Sequence, residues 1–186
     1  MVCAHRRYTL GDQMLKGHEV QSWMEDLLAK RAKDPNGYIV LTLWMLDHSG
    51  LTVRIGGDGP DVGNPFPEDP GGWDSGRIGV IYVDRERLEA EYGKLITAPK
   101  RAKAEEVLRA EVDEYSRWLS GDCWGYVIER PDGSQTDDGW EEVDSCWGFI
   151  GFDDARQVAT EAADHLADVR SGLRSLVEHR LGKQGD

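Results

Sequence analysis

Apolar positions recur at helical spacing from His18 to Lys33, where Val20, Trp23, Met24, Leu27 and Leu28 form one stripe. The turn residues Asp34 to Gly37 stop that helix. Tyr38 to Leu46 follows as an unbroken β-branched and aromatic run, which predicts a buried strand. Asp47 to Gly50 (DHSG) reads as a turn, and Leu51 to Ile55 alternates like the return strand of a hairpin. Periodicity then vanishes from Gly56 to Gly72, a Gly-, Pro- and Asp-rich stretch that must be a long loop, either functional or mobile. Arg77 to Val83 is a third strand. Asp84 as N-cap and Gly93 just past the end bracket a short helix.

A longer helix opens at Pro99, with Ala104, Val107, Leu108, Val112, Tyr115 and Leu119 on one face, and ends at Gly121. Cys123 to Arg130 and Trp140 to Phe149 read as two strands joined by the turn-rich segment Pro131 to Gly139. Val158, Ala162, His165, Leu166, Val169 and Leu173 then predict a long final helix that Gly172 bends, before a frayed tail from Lys183 to Asp186. Strands joined by short turns pair antiparallel. The order predicts an α+β fold: a mostly antiparallel sheet of about five strands with helices packed on one face. Residues 1–17 read as a loosely ordered N-terminus and 18–182 as a single domain.

Cys-Trp-Gly occurs twice, at Cys123 and at Cys146. A hairpin centred on the intervening turn would set Cys123 opposite Cys146, with Trp124 and Trp147 on the other face. Gly125 and Gly148 would leave room beside each indole.

Charge narrows the function classes. The chain of 186 residues has 22 basic and 35 acidic side chains, a net −13. Such a surface repels phosphate backbones and anionic membranes, so direct nucleic-acid binding is disfavoured and a basic protein partner is favoured. No apolar run approaches the ~20 residues of a membrane span, and Met1 to Met14 lacks an apolar signal core. The expected location is the cytoplasm, with Cys3, Cys123 and Cys146 as free thiols. Oligomeric state is not legible.

Candidate chemistry gathers at the acids beside Ser and Gly: Asp47, His48 and Ser49; Trp73, Asp74 and Ser75; Asp144 and Ser145. Asp before Ser or Gly is also ordinary turn grammar, because its carboxylate accepts from backbone N–H two residues on. Should the turns converge, three carboxylates with His48 could hold Mg²⁺ or Mn²⁺, or a carboxylate–His pair could polarise Ser49 or Ser75. No named catalytic, zinc or phosphate-loop motif is present, so the sequence assigns no catalytic residue, metal or cofactor. Trp73 and Trp140 adjoin loops, where an amphipathic ring can anchor a partner.

The DHSG block (Leu46 to Val53), the block from Gly71 to Val83 around WDSG, the stretch from Glu111 to Glu129, and Glu142 to Gly151 (EVDSCWGFIG) resemble an uncharacterised family of small proteins of phages and mobile elements of Gram-positive bacteria. The likeness spans roughly residues 38–165. It implies a phage accessory role and carries no activity or catalytic residue. The leading expectation is a non-enzymatic protein that binds a host or defence protein through an acidic surface. The alternative is a small enzyme or ligand- or metal-binding domain with its site at Asp47, Asp74 and Asp144.

Overall fold

A computed structural model of the chain describes residues 1–58, 63–133, 139–169 and 176–180. The fold is α+β, with a mostly antiparallel five-stranded sheet. The sequence reads as one domain over 18–182, whereas the chain divides into two compact units, Met1–Ser116 and Arg117–Asp186. The physical reason is strand pairing. The five long strands legible in the sequence go into two separate sheets, three in one and two in the other.

The first unit is built on β1 (Val2–Cys3), β2 (Gln13–Met14), β3 (Ile39–Asp47), β4 (Leu51–Asp58) and β5 (Ser75–Val83), in the spatial order β2-β1-β5-β3-β4. Residues 1–17, expected to be loosely held, instead supply strands at one side of this sheet and bury Val2, Cys3 and Leu10. Gly79 permits that addition. A Cβ there would overlap the Val2 carbonyl. Burial pushes the Cys3 thiol up to about 11, so it packs as an inert hydrophobe.

β3 lies inside the sheet, between β5 and β4, and is buried on both faces, hence its unbroken apolar run. Helix α1 (Gly17–Lys33) lays Met24 and Leu27 on Val40 and Val80. Its first turn closes with the Glu19 carboxylate accepting from the Lys16 N–H at 2.8 Å. Ile81, next along β5 from Val80 and so on the opposite side, lines a cavity with Leu88 of α2 (Arg85–Tyr92) and with Ala104 and Leu108 of α3 (Ala98–Leu119). Helices therefore lie on both faces of β5, not on the single face expected from the sequence, because Val80 and Ile81 alternate and each side is apolar. Each fully buried Leu or Ile here stabilises the unit by about 1.5–3 kcal/mol. From α3, Ser116 Oγ accepts the Val53 N–H at 2.9 Å, which satisfies a donor on the edge strand β4.

The second unit holds β6 (Cys123–Pro131), β7 (Trp140–Ile150), α4 (Phe152–Val169) and β8 (Leu176–Arg180), with sheet order β7-β6-β8. Ala159, Ala162, Ala163 and Leu166 of α4 pack on Tyr126, Ile128 and Phe149.

Two expectations need correction here. The hairpin register is displaced: Cys123 pairs with Ile150 and Cys146 with Tyr126, so the thiols are not opposed and both cysteines are free. The displacement begins at the turn, where Pro131 pairs with Trp140, and a pair of bulges in β7 adds one residue each. The pairing skips Gly148, between Phe149 and Trp147, and Val143, between Asp144 and Glu142. One nesting prediction survives in altered form. Gly125 lies directly opposite Trp147, and a Cβ on it would overlap the indole, while Gly148 supplies a positive φ of 99° at its bulge. The final helix also stops early, at Val169. Leu176–Arg180, expected as its continuation, pairs with β6 as a strand. The bend at Gly172, the tail from Lys183 and the middle of the 131–139 turn lie outside the described residues.

Candidate functional site

The end of β3 and the start of β5 are tied together by a backbone bond, Asp47 N–H to the Asp74 carbonyl at 2.9 Å. That bond brings two of the three acidic segments to one place. Between Asp47 and its partner Leu51 the chain turns through His48, Ser49 and Gly50, with Ser49 in the left-handed region at φ 59°. His48 Nδ1 stands 3.2 Å from Asp74 Oδ2. Asp47 Oδ2 accepts from the Tyr8 hydroxyl at 3.0 Å and lies 3.8 Å from Arg7 Nη2. The hydrogen bond to Asp47 raises the Tyr8 pKa above the ordinary phenol value.

The described part of the long loop is built rather than slack. Phe66 is buried under the Arg54 guanidinium, 4.7 Å from its ring centroid, and anchors the loop. Asp69 is buried beside it and accepts three backbone N–H groups: Trp73 at 3.0 Å, Asp74 at 3.0 Å and Ser75 at 2.8 Å. Asn64 Nδ2 donates to the Asp69 carbonyl at 2.7 Å and to Ser75 Oγ at 2.8 Å. The Ser75 hydroxyl and those three N–H groups hold the Asp69 carboxyl below its usual range. Ser75 is thereby committed to the loop's own structure. Turn chemistry singled out Asp74 and Ser75; Asp69 organises both.

This lattice ends in one conspicuous side chain. Trp73 is 89% exposed, and its indole lies so close over Gly71 that a Cβ at that position would overlap it. Beside it a cavity of about 260 Å³ is lined by His5, Arg7, Asp47, Asp74, Arg77 and Trp73, among others. Both signs of charge line it. The reading of an acidic corner is therefore revised to a mixed-charge one, because the N-terminal segment brings His5 and Arg7 beside the Asp turns.

Asp144 and Ser145 belong to the other unit. Asp144 is not at a turn but inside β7, paired with Ile128, where it accepts from the Tyr126 hydroxyl at 3.1 Å. Burial, then that bond, raises the Tyr126 pKa. Ser145 Oγ donates to Glu142 at 2.6 Å. The acid of the other Cys-Trp repeat has a packing role too: Asp122 Oδ1 accepts from the Trp124 indole N–H at 2.7 Å. Among the described residues no three His, Cys, Asp or Glu side chains are grouped to hold a metal ion, so the three-carboxylate arrangement expected from Asp47, Asp74 and Asp144 is not assembled. Among the same residues no helix is long and apolar enough to cross a membrane.

Asp69, Asn64, Phe66, His5, Arg7 and Arg77 escaped the sequence reading. A signal existed for Asp69: an Asp ahead of Pro-Gly-Gly, four residues before an isolated Trp, is a natural cap for a tight turn. Nothing in the spacing of His5 or Arg7 could have placed them here. Set against known proteins, the chain matches no family model, no curated protein and no solved structure.

Proposed function

We propose that this chain is a non-enzymatic binding protein, of the accessory kind its DHSG, WDSG and DSCWGF blocks point to, that engages a host or defence protein at the Trp73 corner. The observation that carries the proposal is an indole exposed to 89% on a loop held rigid from within. A lone exposed apolar residue is common on any surface. Trp73 differs in that a buried carboxylate, an amide side chain and a buried Phe all fix the segment that presents it. A pre-ordered aromatic anchor binds with little further loss of conformational freedom, which is the property of interface hot spots. The chain's net charge of −13 favours encounter with a basic partner and turns polyanions away.

The carboxylate–His alternative is weaker. His48 and Asp74 are in contact, but Ser75 is occupied by Asn64 and Asp69.

The test is photo-crosslinking from position 73 in a bacterial host lysate, alongside capture by tagged wild-type and Trp73→Ala chains. A single crosslinked protein that the Trp73→Ala chain fails to capture is the expected result. Identical captured sets from both chains would overturn the reading.

A further inference from the structure

The geometry points to an anion subsite in the cavity beside Trp73, for a carboxylate or phosphate carried next to a flat apolar group that lies on the indole. This deepens the reading of Trp73 as an anchor and rests on it. The cavity, at about 260 Å³, is smaller than the roughly 300–1,000 Å³ of a site enclosing a whole small molecule. It fits one charged group and the start of what bears it.

The sign follows from which charges are already engaged. Asp47 accepts from the Tyr8 hydroxyl, and Asp74 contacts His48. Arg77 is exposed and lines the cavity, its guanidinium 5.9 Å from the centroid of the Trp44 ring, and it meets no carboxylate among the described residues. His5 adds a donor. Its Nδ1 accepts the backbone N–H groups of Arg7 at 3.3 Å and Tyr8 at 3.2 Å, so the ring proton belongs on Nε2. Arg7 approaches Asp47 only loosely, at 3.8 Å, and retains further N–H groups. Arg77 is thus a lining cation that meets no carboxylate among the described residues, and its planar guanidinium matches a carboxylate or phosphate in two-pronged fashion.

The setting makes the subsite selective. A chain at net −13 repels anions at a distance, so a bare ion gains little by approaching. An anion delivered with an aromatic or apolar neighbour gains stacking on Trp73 as well. A basic partner protein drawn in by the overall field would be held here by one of its own acidic side chains or by a phosphorylated residue.

Indole N–H resonances of the uniformly ¹⁵N-labelled full chain give the readout, with Trp73 assigned from Trp73→Phe. The probes are N-acetylphenylalaninate, its uncharged amide, and phenyl phosphate. Both anions should shift the Trp73 resonance, and the amide should bind about tenfold more weakly. Arg77→Gln should abolish that preference and leave the amide's affinity unchanged, with Arg77→Lys partly restoring it. The tighter of the two anions tells a carboxylate-bearing partner from a phosphate-bearing one. Equal binding of amide and anions, or no response to any probe, overturns the subsite. In that event a capture experiment that still depends on Trp73 but not on Arg77 leaves the anchor standing, and one that depends on neither removes both.

Discussion

Trp147 in one unit and Trp73 in the other each lie over a glycine, and they are used differently. Trp147 sits in β7 across from Gly125, and about half of it is covered by the strand it faces. Its position follows from strand pairing, and it contributes to the sheet in the ordinary way, by cross-strand contact. Trp73 rests over Gly71 in a loop with no regular pairing, and almost none of it is covered. Its position is maintained by Asp69, Asn64 and Phe66, none of which gains much from the ring itself. An aromatic that stabilises its own fold needs no such support. The proposed contact with a partner rests on an aromatic that is supported and left bare.

The contrast can be broken most severely at the root of the loop. Phe66→Ala removes a fully buried ring and should cost about 3–5 kcal/mol, read by chemical denaturation, and should also abolish Trp73-dependent capture. Next comes Gly125→Ala. Its Cβ would enter the Trp147 ring, with an expected loss of about 1–3 kcal/mol and no change in capture through Trp73. An acid titration sharpens the comparison further. The Asp69 carboxyl is held below its unfolded value, so the unfolded chain binds the proton first as pH falls. Its contribution is complete above the ordinary carboxylate pKa of about 4 and is lost as pH drops through the lowered folded value. Asp69→Asn should be less stable than wild type at neutral pH, with a flatter stability profile below about pH 4 by thermal unfolding. The smallest stability effect is expected at Trp73 itself. Trp73→Ala should stay within about 0.5 kcal/mol of wild type, whereas Trp147→Ala should cost about 1–2 kcal/mol. Equal losses at the two positions would erase the distinction.

Much of the fold was legible because periodicity and punctuation agreed. The stripe Val20, Met24, Leu27 gives α1, the run Ile39 to Leu46 gives β3, and Asp84 with Gly93 brackets α2. The failures have distinct physical causes. Symmetric spacing about a turn fixes register only where strands are regular, and Val143 and Gly148 each add a residue to one side alone. The Leu176–Arg180 strand carries apolar spacing short enough to suit a helix, and only its pairing with β6 decides the matter. β1 and β2, two residues each, are too brief to leave any pattern. Of the site, Asp47, His48, Trp73, Asp74 and Ser75 were found from turn chemistry and do come together. Asp144 and Ser145 shared that local grammar but belong to another sheet. His5 and Arg7 arrive through tertiary folding of a segment with no regular signal.

The twin bulges of β7 have a consequence for how these molecules behave in company. β7 ends its sheet, and it displays Trp140, Val143 and Trp147 to water, the sort of border along which proteins zip into fibrils. A visiting strand would find an even ladder only from Asp144 to Trp147 before an extra residue on either side threw it out of step. Concentrated solutions should stay clear, their indoles notwithstanding.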